Sequence, residues 1–257
     1  MNGNKVILIS IDGMRPDGLK QCGSSAMEAL EKKFAYTYAG RTVFPSVTLP
    51  CHFSMTHAVT PERHGFLTNT YTPQVRPVKG IFEKIRDAGG ASAFFYGWEP
   101  LRDVAVPGTL MFARYLHYSC EGSTDTSLTD AAAEIIDRHH PDFVFLYMAE
   151  PDADGHNFGW MSEAYLRCVR IAFENAARMV EQYGDEYRIL ITADHGGHDR
   201  THGTELDEDM MIPLFCFGPE FEAGRELQAV SILDITPTIA SIMGIRPEPE
   251  WEGKSLV

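Results

Sequence analysis

Ile189-Leu190-Ile191-Thr192-Ala193-Asp194-His195-Gly196-Gly197-His198, followed closely by Thr201-His202-Gly203, is the stretch that decides the fold. Its first half is an apolar, β-branched run of buried-strand length. It stops on an aspartate and a histidine backed by glycines. Such residues pack poorly, but carboxylate oxygen and imidazole nitrogen both donate to zinc-like cations.

The pattern occurs twice more. Val6-Ile7-Leu8-Ile9-Ser10-Ile11 ends on Asp12, and Phe143-Val144-Phe145-Leu146-Tyr147-Met148 runs into Glu150-Pro151-Asp152-Ala153-Asp154-Gly155-His156. Continuous apolar runs of this length are typical of parallel strands covered on both faces. In an open α/β sheet, ligands sit beyond the carboxyl ends of the strands. One such aspartate is as readily a cap or turn residue. Three together, two with a histidine close behind, are hard to explain by capping. With His202 they offer ligands for more than one metal.

Outward from these strands, the pattern predicts helices over residues 24–33 (with Ser25 as N-cap), from the Thr48 region through Met55, and over 78–88, 127–139, 162–182 and 233–243. Further strands are expected at 34–39, 91–96 and 213–217, and irregular loops over the site at 97–123. Strands alternate with helices throughout. The expected fold is therefore α/β, a mostly parallel central sheet with helices on both faces. Without repeats or linkers, residues 1–257 read as one domain, with about 66–123 as a small cap or specificity region. The acidic run 205–209 reads as a solvated loop.

The 257 residues, 44% of them hydrophobic, suffice for one sizeable core. A net charge of −14 argues against nucleic-acid polymers and anionic membranes as partners. Five scattered cysteines without a CxxC pair suit free thiols in a reducing compartment. No cleavable leader is evident and no apolar run approaches membrane-spanning length, so a cytoplasmic location is expected.

Thr48 precedes a predicted helix, where free backbone N–H groups and the helix dipole favour an anion. A plain helix cap is the competing reading. A hydroxyl is a weak nucleophile until a base or metal lowers its pKa.

Taken in order, Ile11-Asp12-Gly13, Thr48-Leu49-Pro50-Cys51-His52, Thr60-Pro61-Glu62-Arg63-His64-Gly65, Glu150-Pro151-Asp152-x-x-Gly155-His156, Asp194-His195-Gly196, Thr201-His202-Gly203 and Asp234-Ile235-Thr236-Pro237-Thr238 extend from residue 7 to about 245. The set resembles the nucleotide pyrophosphatase/phosphodiesterase branch of the alkaline phosphatase superfamily. The resemblance implies two divalent ions. One is held by Asp152, His156 and His202, the other by Asp12, Asp194, His195 and the Thr48 oxygen. It further implies Thr48 as nucleophile in phosphodiester or pyrophosphate hydrolysis, through a phosphothreonine-type intermediate, on a small phosphate-ester or nucleotide-type substrate. Histidine content favours zinc over manganese. The phosphodiesterases resembled are expected to carry an asparagine three residues after the threonine, where this chain has Cys51, a weak donor. Cys51 and Leu49 are the candidate substrate contacts, with the Leu49 backbone amide, Arg41 or Arg15 as replacement donors. A buried thiol is the other reading of Cys51.

His198 is an alternative ligand, and His64 fits a supporting role. Phe94, Phe95, Tyr96, Trp98 and Tyr71 read as core before they read as a stacking surface. The rival functions are a phosphonate (C–P) hydrolase or a phosphomonoesterase on the same site, and a non-catalytic metal- or nucleotide-binding protein. The sequence leaves the oligomeric state open.

Overall fold

A computed structural model describes residues 4–118 and 123–257. Seven strands, β1 (Lys5–Ile11), β2 (Ala35–Arg41), β3 (Ser92–Tyr96), β4 (Phe112–Tyr115), β5 (Phe143–Met148), β6 (Tyr187–Thr192) and β7 (Met211–Phe217), form one sheet in the order β2-β7-β6-β1-β5-β3-β4. β6, β1, β5, β3 and β4 run parallel, and β7 is antiparallel to both neighbours. The sheet is thus mostly parallel, as the apolar runs require. β1 and β5 are the central strands, and every residue of β5 is buried.

Helices cover both faces. Thr48–His57 and Ile235–Met243 pack together on one face, and Pro16–Gln21, Thr124–His139, Glu150–Phe158 and Glu163–Tyr183 on the other. The longest, Glu163–Tyr183, buries Tyr165, Val169, Ala172, Phe173 and Ala176 at helical spacing. Ser162 starts it, its side chain accepting from the Tyr165 N–H.

Several expectations change. Within 97–123, the residues Glu99–Val104 form a 3₁₀ helix and β4 joins the sheet edge. Residues 66–118 are therefore partly sheet, since β3 and β4 both lie there. Residues 119–122, including Cys120, lie outside the described residues. The first predicted helix begins at Met27, and Ala26, not Ser25, occupies its N-cap position with no side-chain cap. The stretch after β5 forms a helix, Glu150–Phe158, that its Pro and Gly concealed. Among the described residues no helix is long and apolar enough to cross a membrane.

Candidate active site

Adjacent strands β6, β1 and β5 deliver the three aspartates to one place. Asp12 follows β1 directly, Asp194 lies just past β6, and Asp152 sits in the first turn of Glu150–Phe158. That helix carries His156 one turn beyond Asp152, so both face the same way. His156 Nε2 is 3.5 Å from Asp152 Oδ2, and His202 Nε2 is 3.7 Å from Asp152 Oδ1. Asp12 Oδ1 and Asp194 Oδ2 each lie 3.3 Å from His195 Nε2. Donor atoms of Asp152, His156 and His202 fall within 4.8 Å of one another, as do those of Asp12, Asp152 and His195, so Asp152 stands between two groups.

The imidazoles are aimed by their other nitrogens. Nδ1 of His195, His202 and His156 donates to the carbonyls of Gly196 (2.8 Å), Ser46 (2.8 Å) and Arg200 (3.0 Å). Each Nε2 is left with its lone pair in the site. Burial holds His195 at about 3 and His202 at about 4, so both stay neutral, as ligands must be. The carboxylates move the opposite way. Burial, then the charges of Asp194 and Asp152, pushes Asp12 well up, and burial with the Asp152 charge lifts Asp194 to about 8. Burial raises Asp152 as well.

Asp12 Oδ1, Asp152 Oδ1 and Asp194 Oδ2 are buried without a hydrogen-bond partner. Clustered buried carboxylate oxygens left unpaired are unfavourable unless a cation joins them. Other oxygens of the set are taken: Tyr147 donates its hydroxyl to Asp12 Oδ2, and the Gly13 N–H reaches Asp194 Oδ1 at 3.3 Å. Orphaned oxygens beside neutral imidazole nitrogens fit divalent metal ions.

Thr48 is the first residue of Thr48–His57, and Val47 is the cap position with no side-chain cap. The Thr48 hydroxyl therefore does not cap. Its Oγ1 lies 3.2 Å from His195 Nε2, inside the donor cluster and at the positive end of the helix dipole. Above it opens a cavity of about 270 Å³ whose walls include Asp12, Thr48, Asn69, Trp98, Asp152 and His202.

Cys51 is not on that wall. Its thiol is fully buried, 3.2 Å from Thr42 Oγ1 and within reach of the Val43 and Pro45 carbonyls. The asparagine expected at position 51 has a counterpart in space. Asn69 borders the cavity, its Oδ1 accepting from the Leu49 N–H at 2.9 Å. This bond occupies the Leu49 amide and anchors the Asn69 side chain at the cavity wall. Arg15 is held by Asp17 and the Gly197 carbonyl, and Arg41 by Asp207.

His198 does not join the cluster. Its Nδ1 is 2.7 Å from Asp209 Oδ1. Asp209, expected in a solvated loop, is fully buried and also accepts from the Thr204 N–H and hydroxyl. Burial would raise its carboxyl, but those bonds hold it below the ordinary value. The segment carrying His202 is thereby fixed from beneath, with Ser46 donating to the Thr204 carbonyl at 2.8 Å. His64 is a core residue, 3.0 Å from Ser54 Oγ. Phe94 and Phe95 are core as well, while Trp98 stands at the cavity wall.

A mostly parallel sheet with acidic and histidine side chains clustered at its central strand ends is the architecture of an alkaline phosphatase-like α/β protein. The chain belongs to the type I phosphodiesterase / nucleotide pyrophosphatase family, whose family model matches residues 6–211. It is 24% identical over 261 residues to the bis(5′-adenosyl)-triphosphatase enpp4 of Mus musculus, covering 92% of this chain and 54% of that protein. It thus spans about half the length of that relative. Among solved structures, an inactive variant of murine ectonucleotide pyrophosphatase / phosphodiesterase 5 in complex with AMP superposes with a TM-score of 0.80 at 15% identity, covering 96% of each chain. The phosphonate monoester hydrolase of Silicibacter pomeroyi superposes at 0.77 with 16% identity, covering 98% of this chain and 76% of that one.

Proposed function

We propose that this protein is a metal-dependent hydrolase of phosphodiester or pyrophosphate bonds in small nucleotide-type substrates, with Thr48 as nucleophile. The observation that carries this reading is the convergence of three orphaned carboxylate oxygens and neutral histidine Nε2 atoms on a threonine hydroxyl at a helix N-terminus. Family membership and the names of the relatives, a bis(5′-adenosyl)-triphosphatase among them, support the substrate class.

Two zinc ions fit the donor set: one at Asp152, His156 and His202, the other at Asp12, Asp194, His195 and Thr48. When bound, such ions supply Lewis-acid charge that favours an ionised hydroxyl and neutralises developing oxyanions. Thr48 Oγ forms the new bond to phosphorus as the ester oxygen on the opposite side departs. The resulting phosphothreonine-type intermediate is hydrolysed by water, which restores the hydroxyl and releases phosphate monoester. The Asn69 amide nitrogen donates to a non-bridging oxygen, and the helix N-terminus beneath Thr48 favours the anion. Holding the reactants in line is the chain's main contribution. A cytoplasmic location is proposed too, supported by four free cysteines among the described residues.

The test compares initial rates on bis-p-nitrophenyl phosphate and p-nitrophenyl phosphate, with zinc added, for wild type and Thr48→Ala. Diester turnover that falls about 10³-fold or more in Thr48→Ala is expected. Turnover surviving that change would remove Thr48 as nucleophile, and no wild-type turnover on either ester would remove the reading.

A further inference from the structure

Three glycines neighbour the ligands: Gly13 follows Asp12, Gly155 precedes His156, and Gly197 lies two residues past His195. All three converge on one side chain, Trp160. Its Nε1 donates to the Gly13 carbonyl at 3.0 Å. A methyl group on Gly155 would stand 2.6 Å from the indole Cε2, and one on Gly197 2.2 Å from it. At both positions the three nearest heavy atoms all belong to Trp160. The indole meets the His156 ring edge-on, with centroids 5.0 Å apart at 85°, and the His202 ring at 5.9 Å. The Trp160 backbone N–H donates to the Asp199 carbonyl at 2.8 Å, in the turn between His195 and His202.

Trp160 is only 7% exposed and packs in the hydrophobic core with the Tyr165 ring 6.2 Å away, and on its other contacts it abuts glycine backbone and the His156 and His202 rings. A rigid indole with two side-chain torsions is a good spacer. The glycines are then required by close approach, since any Cβ at 155 or 197 would overlap it. The segments from β1, β5 and β6 all rest on this one ring. Rigid support of this kind keeps ligands within the fraction of an ångström that metal geometry demands.

We infer that Trp160 is a positioning residue that sets the spacing of the two ligand groups, and that its fluorescence reports occupancy of the site by a divalent cation. The inference rests on the metal reading above, but its readouts are binding and emission and do not depend on turnover.

The experiment uses the full chain carrying Trp98→Phe and Trp251→Phe, which leaves Trp160 as the sole tryptophan of three. Zinc chloride is titrated into chelator-stripped protein. Trp160 emission should change saturably, with the midpoint found by competition against a chromophoric chelator. In that competition Trp160→Ala and Gly197→Ala should each weaken zinc binding at least tenfold, with Trp160→Phe between them and wild type. The double variant should be within about threefold of Trp160→Ala alone, because the atoms Gly197→Ala strikes are gone. Should Trp160→Ala not fold, Trp160→Phe and Gly155→Ala carry the same comparison. Silent emission while zinc binds, or Trp160→Phe and Gly197→Ala both within threefold of wild type, overturns the proposal. A wild type that binds no divalent cation overturns instead the metal reading beneath it.

Discussion

Asp125 and Glu150 cap each other's helices. Asp125, in the first turn of Thr124–His139, accepts from the N–H groups of Ala149 and Glu150 at 2.9 and 3.0 Å. Glu150, which begins the helix bearing Asp152 and His156, accepts in turn from the Thr124 N–H at 2.6 Å and the Ser123 hydroxyl at 3.2 Å. Each acid satisfies donors that the other's helix leaves unpaired. Burial raises both carboxyls, and the Glu150 charge raises Asp125 further.

Asp125→Ala should therefore cost about 1–3 kcal/mol, because it strands two buried N–H groups at the start of the helix that carries Asp152 and His156. Asp125→Asn keeps one acceptor oxygen and should lose roughly half as much. Urea denaturation of the chelator-stripped protein measures both. A loss below about 0.5 kcal/mol for Asp125→Ala would mean that water replaces the carboxylate without penalty.

Asn69 and Cys51 should separate rate from stability. Removal of one preorganised donor typically costs about 10²–10³ in rate. Asn69→Ala is expected to lower kcat on bis-p-nitrophenyl phosphate by that factor, while the loss of its bond to the Leu49 N–H costs at most about 1 kcal/mol, since the residue is exposed. Cys51→Ala should instead lose on the order of 1 kcal/mol while kcat stays within about threefold. A rate defect in Cys51→Ala equal to that of Asn69→Ala would return position 51 to the substrate.

What could be read in the sequence followed from how much of the signal was local. Strands β1, β5 and β6 are buried on both faces, so their apolar runs and the aspartates ending them stand out without any tertiary knowledge. Asn69 does not, because a polar loop residue acquires meaning only when folding brings it to Leu49, twenty residues back in the chain. The Glu150–Phe158 helix hid behind breakers: Pro151 is a first-turn proline that helices accept, and Gly155 is required by Trp160. β4, Phe112–Tyr115, is a four-residue, largely exposed edge strand, too short and mixed to show alternation. Asp209 lies in an acidic run, and nothing local reveals that it alone turns inward to Thr204 and His198.

The stability of the metal-free protein should fall between about pH 6.5 and pH 8. His52 and His202 are held at about 4 and His195 at about 3 by burial, against roughly 6.5 when unfolded. Through them the folded state binds fewer protons in that window, and their contribution rises with pH up to roughly 6.5. Asp194, raised to about 8, keeps its proton in the folded state above its unfolded value of roughly 3.9. Its contribution falls with pH until about 8. Asp12, Asp152, Asp125 and Glu150, raised by burial as well, act in the same direction as Asp194, and His57 and His64, held at about 4 and about 3, in the same direction as the other histidines. Below pH 6.5 the two sets oppose each other, and above that value only the carboxylates act, so stability falls toward pH 8. On the metal reading proposed above, zinc takes the deprotonated carboxylates, so the rise in melting temperature on adding zinc should grow from pH 6 to 8. Melting curves with and without zinc across pH 5–8.5 check this. A metal-free melting temperature still climbing at pH 8 would contradict it.

Gly13 is where the proposed metal site should be most sensitive to a single methyl group. Its φ is +67°, a conformation that L side chains adopt only at a cost of about 1–2 kcal/mol. A Cβ there would stand 3.0 Å from Asp152 Cα and 3.1 Å from its Cβ, with little room for that backbone to retreat. The same residue donates to Asp194 Oδ1 and accepts from Trp160 Nε1 and the Tyr165 hydroxyl. Gly13→Ala therefore pushes directly on the spacing between Asp12 and Asp152, while Tyr165→Phe removes only one of the bonds to its carbonyl. The expected order is a loss of zinc affinity of at least tenfold for Gly13→Ala and under about threefold for Tyr165→Phe, read by chelator competition. The backbone strain explains the loss of stability in Gly13→Ala, but only the contact with Asp152 explains a loss of metal. A Gly13→Ala protein that is destabilised yet binds zinc like wild type would show that the Asp12–Asp152 spacing adjusts freely and that the close approach at Gly13 serves the turn alone.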